Sequence, residues 1–452
     1  MSSVRADNRS GRASEALSAS SSHLLPFKEA KAKGWHAALS APMNRRPRVE
    51  PQLQNNNPII AIGNYDFRPS GTVVKSIEIA AACAKAGLPV ELWVVRDEGA
   101  LRARVPAGVP VFETGSAMRL HNRGLDLALN IPALAAALRR RRPTLFLSGG
   151  NHLHLAARIA LGLSGRRRSI QLGARASNSA HHGKATRWQA LIGTWSNRLK
   201  FGGADFIVAV SHALAAEIQT ALPKKSVGII ANGVDLAKVD RLVSAPFAHH
   251  FLDEQCDRPP LLVTIGRIVR QKGFDLLVSA LGRLDDIGAR LMIIGDGDST
   301  KIAALKSLAE AEGVAHRVAL LGYQDNPFAI LSRADLFVSA SRWEGASNAL
   351  IEALACGLPI VATDCPTGNR EVVEAGPYGT LAPVENVEGL ANAIRAELKT
   401  KRSKNEQRAG AHSRSLDRCL ESWVKLLEAW PEKFVDQFPS HLADTCEQPW
   451  GR

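Results

Sequence analysis

Glu344 and Glu352 stand eight positions apart in the run Glu-Gly-Ala-Ser-Asn-Ala-Leu-Ile-Glu, downstream of Gly266-Arg267 and Lys272-Gly273. Paired carboxylates accept hydrogen bonds from sugar and ribose hydroxyls, whereas an arginine fork and a lysine point charge suit a diphosphate. Glycine lets backbone come close to a ligand. The set reads as a nucleotide-sugar site, with sugar transfer as its first chemistry.

The spacing assigns parts to these residues. Arg267 and Lys272 follow a strand-like run, Leu261 to Ile265, and so stand at the carboxyl edge of a sheet, where they would stabilise a leaving diphosphate without a metal. Glu344 falls in the loop after Leu336 to Ser339. Ser347 has the position of an N-cap, and a helix from Asn348 to about Ala355 puts Glu352 one turn inside it. On this reading Glu344 reaches the sugar and Glu352 the ribose diol. The backbone N–H groups of Gly345, Ala346, Ser347 and Asn348 face phosphate or sugar oxygens, helped by the helix dipole. Plainer readings stand beside these: loop cations for Arg267 and Lys272, and a solvated helix face for Glu352. Gly295-Asp296-Gly297 is a nucleotide contact or a tight turn, and Tyr323 borders the base pocket or packs. The polar loop Thr363 to Glu371 is placed along the donor cleft.

The elements that must hold these residues form a repeating pattern. Residues 1–57, rich in Ser, Ala, Arg and Asn, are read as a disordered basic extension, with Met43 as an alternative start. A strand at Pro58 to Gly63, a turn through Pro69-Ser70-Gly71, a helix to about Ala86 and a strand at Pro89 to Val95 make a βαβ unit. Strand-like runs follow at Thr144 to Ser148, Ser169 to Leu172, Phe206 to Val210 and Val227 to Ile230. The stretch Ser244 to Pro260 reads as a linker. A second βα series occupies Leu261 to Ile265, Leu291 to Ile294, Val318 to Leu321, Leu336 to Ser339 and Ile360 to Thr363. The expected fold is α/β, with doubly wound domains at 58–245 and 259–400. The remainder, 401–452, carries a helix at Leu416, Leu420, Trp423, Leu426 and Leu427 that packs back on the first domain.

With these residues and elements in view, the chain resembles the retaining glycosyltransferases of family 4. The resemblance rests on Gly266-Arg267 with Lys272-Gly273, Gly295-Asp296-Gly297, the Glu344 to Glu352 run and its continuation Ala-Leu-Ala-Cys-Gly-Leu-Pro-Ile-Val-Ala-Thr-Asp. It is strong over about 140 residues and extends weakly to Ala204 to Ser211 and Asn232 to Asp235. It implies the GT-B fold, two Rossmann-like domains facing across a cleft. Arg267 and Lys272 would hold the donor diphosphate, Glu344 the sugar and Glu352 the ribose, with no metal required. The loop Asp364 to Glu371 looks most like members that build bacterial surface polysaccharides, often from UDP-sugars. The donor sugar is then a hexose or N-acetylhexosamine, and UDP is favoured over GDP-mannose. The acceptor is lipid-linked or a polysaccharide. The first domain departs from the commonest family pattern: Arg68-Pro69-Ser70-Gly71-Thr72 replaces the Gly-Gly entry loop, and Arg175-Ala176-Ser177-Asn178 stands near where the usual histidine of the central loop would fall, with His181 and His182 just after. Gly71, Arg175, Asn178 and His181 are therefore the acceptor-side candidates. No protein nucleophile stands out, so front-face attack with help from the leaving phosphate is the implied mechanism, and double displacement stays open. His152, His154, His181 and His182 are base candidates or structural histidines.

Net charge is +14, but residues 127–204 hold thirteen basic residues and no acidic one. Within them, residues 187–201 place Trp188, Leu191, Ile192, Trp195 and Leu199 on one helical face. That face either packs into the first domain or lies on anionic lipid. Six scattered cysteines show neither zinc spacing nor disulfide density. There is neither an apolar run of membrane-spanning length nor a secretory signal core. The expectation is a cytoplasmic protein, peripheral on the inner face of the membrane. Rival readings are a sugar-nucleotide epimerase, a phosphorylase and a basic nucleic-acid-binding protein. The last lacks a recognisable nucleic-acid motif.

Overall fold

The computed structural model describes residues 60–179, 187–252, 258–374 and 376–429. The extension read over residues 1–57, His181, His182 and the tail from 430 lie outside the described residues. Short runs of Ile, Val and Leu, buried on both faces, build two parallel sheets. The first contains β1 (Ile60–Asn64), β2 (Val90–Val94), β3 (Val111–Glu113), β4 (Leu145–Ser148), β5 (Gln171–Ala176), β6 (Phe206–Ala209) and β7 (Val227–Ile229), in the order β3-β2-β1-β4-β5-β6-β7. The second contains β8 (Leu261–Ile265), β9 (Arg290–Ile294), β10 (Val318–Leu320), β11 (Leu336–Ser339), β12 (Ile360–Thr363) and β13 (Gly379–Ala382), in the order β10-β9-β8-β11-β12-β13. Both orders reverse beside their first strand, between β1 and β4 and between β8 and β11. Ligand crevices form outside the carboxyl ends of strands at such points.

The pleat sorts side chains to opposite faces. Ile60 and Ile62 of β1 join Leu92 and Val94 on one side, and Ala61 joins Trp93 and Phe146 on the other. The first side is covered by helix Gly71–Lys85, through Val73 and Ile77, and by the returning helix Leu416–Glu428, through Trp423, Leu426 and Leu427. In the second sheet Leu261 and Val263 enter one core and Leu262 the other.

Three features differ from the sequence reading. Strand β5 runs on to Ala176 because register compensates for weak β-formers: Gly173 pairs with Phe206, whose ring would stand 2.3 Å from a Cβ at Gly173. The short edge strands β3 and β13 carry too little apolar sequence to be read alone. Finally, Val239, Phe251 and Leu252 are buried with Leu261 and Val263, so the chain joins the second core before the Ser244 to Pro260 stretch. The crossing lies near Val234, whose N–H donates to Arg414 O at 2.9 Å while Leu416 N–H donates to Val234 O at 2.8 Å.

Candidate functional site

At the end of β8, Gly266 N–H donates to Ile294 O at 2.9 Å. Gly295, after β9, takes φ 142°, and a Cβ there would stand 1.9 Å from Gly266 O. Gly297 presses in the same way on Ile268, whose Cβ would lie 2.7 Å away. These two glycines thus have a packing reason that brings the two loops together at the carboxyl edge. Tyr323 is exposed on the neighbouring loop, next to Gly322, whose carbonyl accepts Gly295 N–H at 2.8 Å. Arg267 is exposed on the same edge, and its guanidinium has no protein partner among the described residues.

Lys272 ends the 3₁₀ turn Arg270–Lys272, and Gly273 follows with φ 62° at the start of helix Phe274–Leu281. A Cβ at Gly273 would stand 2.0 Å from Ala340 O, so the turn is seated on the end of β11. Buried Arg342, which sequence reasoning passed over, holds that seat. It donates to Arg270 O at 2.8 Å, to Asp275 at 2.8 and 2.6 Å and to Glu385 at 2.8 Å. Burial pushes the Asp275 carboxyl up, but the Arg342 hydrogen bonds outweigh it and leave it below the usual range.

From this seat Lys272 Nζ donates to Glu344 Oε1 at 2.6 Å, and Ser341 Oγ donates to the same oxygen at 2.7 Å. Glu344 Oε2 has no partner among the described residues. Thr367 Oγ1 donates to Glu344 O and fixes the main chain. Next comes Gly345, where the two halves meet. Ser211 Oγ donates to Gly345 O at 2.8 Å, and a Cβ on Gly345 would stand 2.2 Å from Ser177 O and 2.8 Å from Asn178 Cα. Ala346 packs on the first-half cluster that includes Ala174, Ala176 and Ile207.

Ser347 holds the N-cap position of helix Asn348–Ala355, as its place in the run suggested, but its buried side chain makes no capping hydrogen bond. The first amides therefore lack a side-chain cap. Asn348 Nδ2 lies 3.2 Å from the Cβ position of Gly71, where helix Gly71–Lys85 begins. Two helix N-termini thus abut across the cleft, and both present positive dipole ends. Glu352 is half-buried one turn further on. Burial raises its pKa, while Lys75 and Lys238 pull it back. Lys75 is a second residue the sequence reading missed. It is buried, donates to Gly233 O at 2.7 Å and pairs with Glu78 at 2.7 Å. Its signal was a lysine on the apolar face of a helix, among Val73, Ile77 and Ile79.

On the first half, Arg175 stands inside β5 and not in a loop. Its Nη2 donates to Asn232 Oδ1 at 2.7 Å, its Nη1 is buried without a partner, and burial lowers its pKa. Asn178 O accepts Asn151 Nδ2 at 2.7 Å. His154 is buried with Nδ1 2.8 Å from Ser148 Oγ, and burial pushes its pKa down to about 3, a structural neutral imidazole. His152 is exposed, 3.4 Å from Arg123 Nη2. The loop Asp364 to Glu371 reaches further than the cleft: the Glu371 carboxylate accepts His212 and Ala213 N–H at 3.0 and 2.5 Å, capping helix His212–Ala221.

The structure therefore gathers Gly266, Lys272, Glu344, Gly345, Ala346, Asn348, Glu352, Gly71 and Asn178 about one cleft, with Gly295, Gly297 and Tyr323 on its outer loops. Fixed cations and dipole ends can hold a diphosphate, and an open carboxylate oxygen can hold a hydroxyl. Cys365, close to Glu344, has its thiol pushed up to about 12 by burial and by that carboxylate, so it is no thiolate nucleophile at neutral pH.

Two family models match: "Glycosyltransferase Family 4" over residues 69–238 and "Glycosyl transferases group 1" over residues 259–400. A Campylobacter jejuni N-acetylgalactosamine-N,N'-diacetylbacillosaminyl-diphospho-undecaprenol 4-alpha-N-acetylgalactosaminyltransferase is 25% identical over 293 residues, 64% of this chain and 75% of that protein. The lipopolysaccharide core biosynthesis glycosyltransferase LpsE of Rhizobium meliloti is 31% identical over 204 residues, 45% of this chain and 57% of its own length. The match thus spans little more than half of that relative. Among solved structures, Anabaena HepE in complex with UDP and glucose superposes with TM-score 0.64 at 17% identity, covering 82% of this chain and 99% of that one.

Proposed function

The chain belongs to the Family 4 glycosyltransferases with the GT-B fold, and on that premise we propose that it moves a hexose or N-acetylhexosamine, with retention, from a UDP-sugar to a lipid-linked or polysaccharide acceptor in cell-surface glycan synthesis. The observation that carries this reading is the Lys272 to Glu344 contact at 2.6 Å on the reversal between β8 and β11, with Arg267 exposed after β8 and without a protein partner among the described residues. The donor diphosphate takes the Arg267 fork, the Lys272 charge and the start of helix Asn348–Ala355. Glu344 Oε2 accepts a sugar hydroxyl and Glu352 the ribose diol. As the anomeric C–O bond to phosphate breaks, the acceptor oxygen bonds to the same face of that carbon and its proton passes to the departing phosphate oxygen. The positive side chains stabilise the developing charge, so no divalent ion is needed. The first domain holds the acceptor near Gly71, Arg175 and Asn178. The name of the Campylobacter relative, with its diphospho-undecaprenol acceptor, supports a lipid-linked acceptor, and the HepE complex supports UDP. We place the protein in the cytoplasm, peripheral on the inner face of the membrane.

The test is nucleotide release by the purified protein from a panel of UDP- and GDP-sugars, with bacterial membrane extract as acceptor. The expected result is extract-dependent UDP release from one UDP-sugar with the anomeric configuration kept. Inverted product, or inertness toward every nucleotide sugar, overturns the proposal.

A further inference from the structure

Helix Arg187–Phe201 turns its apolar stripe away from the protein. Trp188 is 76% exposed, Trp195 70% and Ile192 66%, and Leu191 and Leu199 are exposed with them. The side facing the sheet carries Gly193, Asn197 and Phe201, all buried, and Asn197 Nδ2 donates to Glu217 Oε1 at 2.9 Å. A helix on a globular surface ordinarily buries its apolar stripe and shows its amides to water. Here the amide is inside and the tryptophans are outside.

The neighbouring helix His154–Leu163 extends the face. Arg158 Nη1 donates to Leu199 O at 3.0 Å, joining the two helices, and Ile159 and Leu163, four residues apart, form a second exposed ridge. The two tryptophans alone leave on the order of 300 Å² uncovered, the scale at which an apolar patch marks an interaction site. The charge carried by these two helices themselves has one sign, with Glu217 lying on the inner side against Asn197. Arg158 and Arg198 are exposed on the same two helices, and no Asp or Glu occurs anywhere in residues 127–204.

We infer that the face made by helices His154–Leu163 and Arg187–Phe201 docks on an anionic lipid bilayer, with Trp188 and Trp195 as its anchors. Indole rings settle at the boundary between headgroups and acyl chains, and arginines beside them meet lipid phosphate. Pairing of this face with a second copy of itself would set Arg158 and Arg198 against like charges, which disfavours a dimer. The choice of a membrane as occupant rests on the lipid-linked acceptor proposed above, while the exposed stripe itself does not.

Cosedimentation of the full-length protein with phosphatidylcholine vesicles, with and without phosphatidylglycerol, tests this. Binding is expected only with phosphatidylglycerol and falls as salt rises. Trp188→Ser/Trp195→Ser should weaken it by about tenfold or more, while UDP release from the donor sugar in detergent stays at the wild-type rate, showing that the variant is folded. Equal vesicle binding by wild type and double variant overturns the assignment of the face. So does a wild-type dimer in light scattering that the double substitution dissolves. Vesicle binding lost with UDP release intact bears on docking alone, whereas a wild type that binds vesicles but releases no UDP counts against sugar transfer alone.

Discussion

Replacing Lys272 by alanine removes the cation 2.6 Å from Glu344 Oε1. The lysine side chain is 20% exposed and the glutamate 7%, so the pair lies between a surface bridge, worth about 0–1 kcal/mol, and a buried one, whose breaking costs about 3–5 kcal/mol. Ser341 Oγ stays 2.7 Å from the same oxygen, so Glu344 is not stripped of partners. The stability loss should therefore be about 1–2 kcal/mol, with the fold intact. The kinetic loss should be larger. Lys272 is one of two fixed cations assigned to the departing diphosphate, and removing one such preorganised donor costs about 3–4 kcal/mol, roughly 10²–10³ in kcat. Steady-state UDP release, with kcat and KM resolved, is the assay. A group acting on the leaving phosphate lowers kcat and kcat/KM together and leaves KM nearly constant. Glu344→Gln keeps the volume and the Ser341 contact but loses the charge, and it should fall by a similar factor. The double variant should lose less than the two singles combined, because both act on one bound donor. If both single variants are folded and each keeps more than about a tenth of the wild-type kcat, the site assignment is wrong.

A Cβ at Gly345 would stand 2.2 Å from Ser177 O, a backbone atom that cannot swing aside. Gly345→Ala should thus part the halves and reduce kcat by about tenfold to a hundredfold with little change in melting temperature; an unchanged kcat would mean that this contact does not set the cleft. Treatment with EDTA should leave the rate within about twofold if, as proposed, Arg267 and Lys272 supply the positive charge, and a loss restored by Mg²⁺ or Mn²⁺ would contradict that. His154, with its pKa pushed from 6.5 to about 3 by burial, refuses a proton that the unfolded chain accepts. Its contribution is intact above about pH 6.5 and is lost progressively toward pH 3, about 2 kcal/mol between pH 7 and pH 5. His154→Asn should flatten that slope in urea unfolding, and an unaltered slope would assign the pH dependence to other groups.

Much of the architecture was legible in the chain because its signals are local. Buried parallel strands are unbroken apolar runs, and Ile60 to Asn64, Leu261 to Ile265 and Leu336 to Ser339 announce themselves in this way. Helix Asn348–Ala355 was equally readable, from a polar start and an apolar body. Strand β5 was cut short because Gly173 and Ala174 owe their strand state to pairing with Phe206 and Ile207, partners more than thirty residues away. Arg175 consequently looked like a loop residue. The arginine that seats Lys272 was also missed, since the partners of Arg342 lie at 270, 275 and 385 and no spacing rule connects them.

By itself the sequence determined the chemical inventory: two glutamates eight residues apart, two cations after a strand and glycines beside them, in a chain built for two parallel sheets. Residue type and short spacing decide these, because they act through covalent geometry and strand or helix period. Tertiary structure alone decided that Lys272 meets Glu344, that Gly345 touches Ser177 across the cleft and that Gly71 faces Asn348. It also decided which way helix Arg187–Phe201 turns. The periodic stripe is the same whether it faces a core or a bilayer, and only the burial of Asn197 against Glu217 settles its direction. Long-range packing chooses between two orientations that the local pattern leaves equivalent.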